Sequence, residues 1–117
     1  MRFIELVATA TICFAMASGA SGKSLSRIIA ETGLSPEDYN VMRDASDELF
    51  TGNGPSPGRS VSWANKTSGT QGTSRIGAVS GNCAEVQHAF RPKGDAEEKK
   101  IRTKRCRNAQ GSWVLTP

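Results

Sequence analysis

Three groups of side chains in this 117-residue chain could do chemistry: the lone histidine His88, the cysteines Cys13, Cys83 and Cys106, and the basic run from Lys99 to Arg107. A histidine acts as a base when a nucleophile and an orienting acid stand beside it. Ser80 lies in Gly77-Ala78-Val79-Ser80-Gly81, where the serine is one place late for a nucleophile elbow. His88 falls mid-strand next to Phe90 and reads as a half-buried or exposed sheet histidine. Gly22-Lys23-Ser24 imitates the end of a phosphate-binding loop, but the position of its first glycine is Ala17 and no strand precedes it. Gly69-Thr70-Gln71-Gly72 is too short to cradle a dinucleotide. No catalytic, cofactor-binding or metal-ligating set emerges, and the expectation is a non-enzymatic protein without a cofactor.

The cysteines are read through the N-terminus. Leu6 to Ala17 is an apolar run interrupted only by threonines, after Arg2 and before the small residues Ser18-Gly19-Ala20-Ser21-Gly22. It is shorter than the ~20 residues that span a bilayer, and it matches a secretory signal. Cleavage fits after Ala17 or Ala20, with Ala20 preferred; a retained N-terminal anchor is the alternative. Cys13 follows Ile12, where a lipid-attachment site needs a small residue, so it is assigned to the leader. Cys83 and Cys106 remain, and an even pair in an exported small domain reads as a disulfide. A reactive thiol pair or half a metal site is the rival, but there is no CxxC and only one histidine. Closing a loop of about 24 residues stabilises by roughly 3.4 kcal/mol in the chain-entropy model.

Six of the nine residues from Lys99 to Arg107 are basic: Lys99, Lys100, Arg102, Lys104, Arg105 and Arg107. A strand of this sequence carries positive charge on both faces and could bind a nucleic-acid backbone, anionic lipid headgroups or an acidic glycan. The partner expected for the protein is an envelope protein, an anionic glycolipid or another polyanion. Aromatics for base stacking are missing, which argues against single-stranded nucleic acid. The plainer reading is an edge strand whose lysines discourage aggregation. Charge is uneven along the whole chain. Residues 23–50 hold three basic and six acidic residues, and residues 51–117 hold eleven and four. Either the two parts attract each other or the basic part faces an anionic partner.

With 37% apolar residues and a mean hydropathy of −0.40, the chain can build one domain with a thin core. Ser35 as N-cap, Pro36, then Glu37 and Asp38 open a helix over 36–50, with Val41, Met42, Ala45 and Leu49 as its apolar stripe. A looser amphipathic stretch, Lys23 to Gly33, precedes it. Thr51 to Gly58 breaks the helix. Short strands follow over 60–64, 72–80, 83–91, 99–107 and 112–115, separated by Gly- and Asn-rich turns. The expected fold is α+β: one helix packed on a four- to five-stranded antiparallel meander, with Cys83 and Cys106 at the open end of a hairpin. The domains are a signal peptide at 1–20, a helical segment and linker at 21–57, and a β domain at 58–117. No transmembrane span is expected in the mature chain. Asn65-Lys66-Thr67 also fits a glycosylation sequon, a pattern common by chance.

Trp63-Ala64-Asn65-Lys66-Thr67-Ser68-Gly69-Thr70-Gln71-Gly72, then Cys83, Cys106-Arg107 and Gly111-Ser112-Trp113, together resemble the C-terminal domain of the bacterial seventeen-kilodalton outer-membrane surface antigens, the rickettsial-type family. The resemblance covers roughly Gly58 to Leu115. It implies a small antiparallel β domain of the Gram-negative envelope with no enzymatic role. The family's acylated cysteine and glycine-zipper segment have no counterpart here, so a periplasmic protein is expected over one anchored in the outer membrane.

Overall fold

The structure is a computed structural model that describes Arg27 and residues 31–116; the expected leader and most of the 23–33 stretch lie outside the described residues. Helix α1 spans Pro36–Asp47 and tightens into a 3-10 turn at Glu48–Phe50. Its start is a reciprocal cap. Ser35 Oγ accepts from the Asp38 amide at 3.0 Å, and the Ser35 amide donates to Asp38 Oδ2 at 3.1 Å. Arg59 secures the other end by donating through Nη1 to the carbonyls of Leu49, Thr51 and Gly54 at 3.4, 2.9 and 3.4 Å. Carbonyls at a helix end need such donors.

Five strands follow: β1 Ser60–Ala64, β2 Gln71–Ser80, β3 Cys83–Arg91, β4 Lys99–Arg107 and β5 Trp113–Thr116. They pair in chain order, each antiparallel to the next, so the architecture is the expected α+β meander with all five strands present. The Cys83–Cys106 disulfide is also in place, joining residues that face each other across β3 and β4.

Cross-strand partners share a face of the sheet. The register therefore puts Val61, Trp63, Gly72, Ser74, Ile76, Ala84, Val86, His88, Phe90, Ile101, Thr103 and Arg105 on the side that α1 covers. The core forms two clusters along this side. Leu34, Tyr39 and Met42 pack with Trp63 and Phe90, and Leu49 packs with Ile76 and Val86. Gly72 makes the first cluster possible. A Cβ there would come within 2.5 Å of the Ala89 carbonyl oxygen and 2.7 Å of the Trp63 ring. Only a bare backbone lets the indole approach β2 so closely.

A bulge at Gly77-Ala78 shifts the β2–β3 register between Ile76 and Val79. Val79 then faces Ala84 but is 38% exposed, beyond the end of the helix. The opposite side of the sheet has no layer of described residues across it.

Candidate functional site on the open face of the sheet

The covered face holds three polar clusters, and each is occupied with holding the layers together. In the first, the Asp38 carboxylate accepts from Asn65 Nδ2 at 2.8 Å, from Thr70 Oγ1 at 3.0 Å and from the Ser68 hydroxyl. Burial alone would raise its pKa. The bonds from Ser68, the Ser35 backbone, Asn65 and Thr70 outweigh burial and hold it below the usual carboxylate value. The helix start and the β1–β2 turn thus share one ion. Asn65, the sequon asparagine, is buried with its amide nitrogen engaged, so the folded domain offers it to no glycan.

The second cluster has the look of chemistry. Ser74 Oγ lies 2.6 Å from His88 Nδ1, a pair that linear spacing did not suggest because cross-strand register creates it. Trp63 Nε1 donates to Ser74 Oγ at 3.1 Å, and His88 Nε2 lies 2.8 Å from Thr103 Oγ1. One proton arrangement satisfies the chain: Ser74 donates to Nδ1, and Nε2–H donates to Thr103. A hydroxyl stands where a triad needs a carboxylate. Ser74 is 0% and His88 2% exposed, so no substrate can approach the serine. Burial, assisted by the Arg105 charge, lowers the His88 pKa to about 4. The histidine is more deeply buried than its sequence context suggested.

The third cluster centres on Arg105. It is 7% exposed, forms an ion pair with Asp47, donates through Nη2 to the Arg43 carbonyl at 3.2 Å, and lies 4.8 Å from the Phe50 ring centroid. Phe50 in turn meets Trp113 at 5.3 Å. One charge thus ties the helix end to β4 and β5.

The six basic residues of β4 therefore divide. Arg105 is consumed in the core, and Lys99, half-buried on the same side, lies 3.6 Å from Asp95. Arg107 shares that side, beside Gly111 and opposite Trp113. Lys100, Arg102 and Lys104 point the other way and are exposed. They have company that the linear run did not reveal. Arg75 on β2 shares a row with Gln87 and Arg102, and Arg91 on β3 projects from the same face. Five exposed basic side chains thus share one surface with a single acid, Glu85, which reaches Arg102 only at 3.9 Å. The rest of that face includes Ser60, Ser62, Ala64, Gln71, Thr73, Gly77, Ser80, Gln87, Ala89, the disulfide, Val114 and Thr116, with no aromatic ring among them. Exposed acids cluster on the other side of the molecule, at Glu37, Asp44, Asp47 and Glu48 of the helical segment.

Among the described residues, no group of three or more His, Cys, Asp or Glu side chains could hold a metal ion, and no helix is long and apolar enough to cross a membrane. Comparison of the chain with protein-family models, with curated proteins and with solved structures finds no match.

Proposed function

We propose that this chain is an exported, non-enzymatic domain of the Gram-negative cell envelope, periplasmic or associated with the outer membrane, with the structural or adaptor role its surface-antigen resemblance implies. The observation that carries this reading is the disulfide between facing residues of β3 and β4. Such bonds persist in oxidising compartments and are rare in the cytosol. The leader-like run before Ser21 agrees with it. The test is mass spectrometry of the full chain expressed in a Gram-negative host, with and without reduction. The expected species lacks the first 20 residues and is lighter by two hydrogens before reduction. An uncleaved cytosolic form with both thiols alkylatable would overturn the reading.

The open face supports a second, compatible reading: a binding module for an anionic envelope component. Five basic side chains projecting from three strands are not the protection of an edge, because β2, β3 and β4 are all interior strands. The expected edge-strand reading of Lys99 to Arg107 fails because β5 pairs with β4 on its outer side. Salt-sensitive retention on an anionic matrix, lost on charge reversal of Lys100, Arg102 and Lys104, is the expected behaviour. Retention unchanged by reversal would remove it.

A further inference from the structure

We infer that the partner of the open face is the surface of an anionic lipid bilayer, on which the sheet lies flat with the helix turned away. This rests on the reading of the domain as a binding module for an anionic envelope component.

The shape of the charge carries the inference. Lys100, Arg102 and Lys104 stand on β4 at alternate positions, about 7 Å apart along the strand. Arg75 lies two strands away in the Arg102 row, and Arg91 projects from β3. The pattern is a two-dimensional array with short or polar residues between the cations. A linear polyanion is held better by a groove or by aromatic platforms, and this face has no aromatic ring. A plane of phosphates matches it.

Two further features fix the orientation. Exposed acids of the helical segment occupy the opposite side, so the domain is polarised and an anionic surface turns the sheet toward itself. Within the open face the charge is also graded. The β3–β4 turn brings Asp95, Glu97 and Glu98 to one end of the sheet, while Cys83 and Cys106 mark the other. Beside that bond stands Val114, 42% exposed and the large apolar side chain of this face. Contact therefore leans toward the disulfide end, with Arg102 and Lys104 among headgroups and Val114 at the interface. Each Lys or Arg near such a surface is worth roughly a fivefold change in binding.

The experiment is sedimentation of the purified, disulfide-bonded exported protein with vesicles of phosphatidylcholine, alone or with one-third phosphatidylglycerol. Binding is expected only to the anionic vesicles, with release in about 0.5 M salt. Arg102→Glu with Lys104→Glu should weaken it more than ~100-fold while the protein stays folded, its melting temperature lowered by a few degrees because the new acids adjoin Glu85. Lys66→Glu with Lys93→Glu changes net charge equally from two turns off this face, and should weaken it only a few-fold. Equal losses from the two double variants would show a response to net charge and overturn the assignment of the face. Retention on heparin without vesicle binding would overturn the bilayer and leave the anionic-component reading standing. Binding to neither would end both.

Discussion

The two sides of this sheet use the same residue types for opposite purposes. On the covered side an aspartate, a histidine and an arginine are buried and held by partners: Asp38 by Ser35, Asn65, Ser68 and Thr70, His88 by Ser74 and Thr103, Arg105 by Asp47 and the Arg43 carbonyl, with Arg105 Nε left without a hydrogen bond. On the open side Arg75, Arg91, Lys100, Arg102 and Lys104 stand in water with one weakly placed acid among them. Burying a polar group is costly unless its bonds are made, so the covered groups are fixed by the fold. The exposed charges carry no such obligation. What the contrast teaches is that function should be sought where charge accumulates without a structural task.

The disulfide is the exception that sharpens this division, since it lies on the open face yet braces the sheet. Cys83→Ser or Cys106→Ser should each cost about 2–5 kcal/mol in chemical denaturation, and the double variant about the same. Clearly additive losses would mean that the sulfurs are not partners. Next in size is the clamp on the covered side. Asp38→Ala leaves Asn65, Ser68 and Thr70 without their acceptor and removes the return bond of the α1 capping box from the Ser35 amide, at a cost of about 3 kcal/mol in urea. A loss below about 1 kcal/mol would show that these bonds hold little.

Acid should act on the covered side as well. The folded His88 pKa, about 4, lies below the ordinary 6.5, so the unfolded chain takes up the proton first. Stability is complete above pH ~6.5 and falls, by about 3 kcal/mol at most, as pH drops toward ~4. The Asp38 contribution has the same sign but is lost lower, as pH falls below its ordinary value of 3.8. Urea midpoints measured across this range should decline in both steps, and His88→Leu should flatten the upper one. A midpoint independent of pH between 6.5 and 4 would contradict the buried neutral histidine.

Much of the architecture was readable because it is written in local chemistry. The Ser35-Pro36-Glu37-Asp38 opening, the alternation from Cys83 to Arg91 and the Gly-rich turns each act within a few residues. The helix and all five strands are found close to where they are expected. The residues of the β1–β2 and β4–β5 turns have tasks of the same kind. Asn65, Ser68 and Thr70 clamp Asp38, Gly72 admits the Trp63 ring, and Asn108 Oδ1 accepts from the Gln110 and Ser112 amides before Trp113 meets Phe50. They record a fold and name no ligand.

The candidate site was less legible. The run at 99–107 is conspicuous in one dimension, but a strand sends alternate residues to opposite faces, so Arg105 left the set and Lys104 stayed. Arg75 and Arg91 joined it through strand pairing, which linear spacing does not display. The Ser74–His88 contact arose in the same way, fourteen residues apart in sequence.

Lys104 and Arg105, adjacent in sequence and opposite in face, allow the most direct test. Thermal melting of Lys104→Glu and Arg105→Glu should be measured side by side on the oxidised protein. Lys104→Glu places an acid opposite Glu85 on β3 and is expected to melt within about 5 °C of the parent. Arg105→Glu places a buried acid next to Asp47 and should lower the midpoint by more than about 10 °C. Equal shifts, or the reverse order, would contradict the separation of a face that holds the fold from one left free to bind.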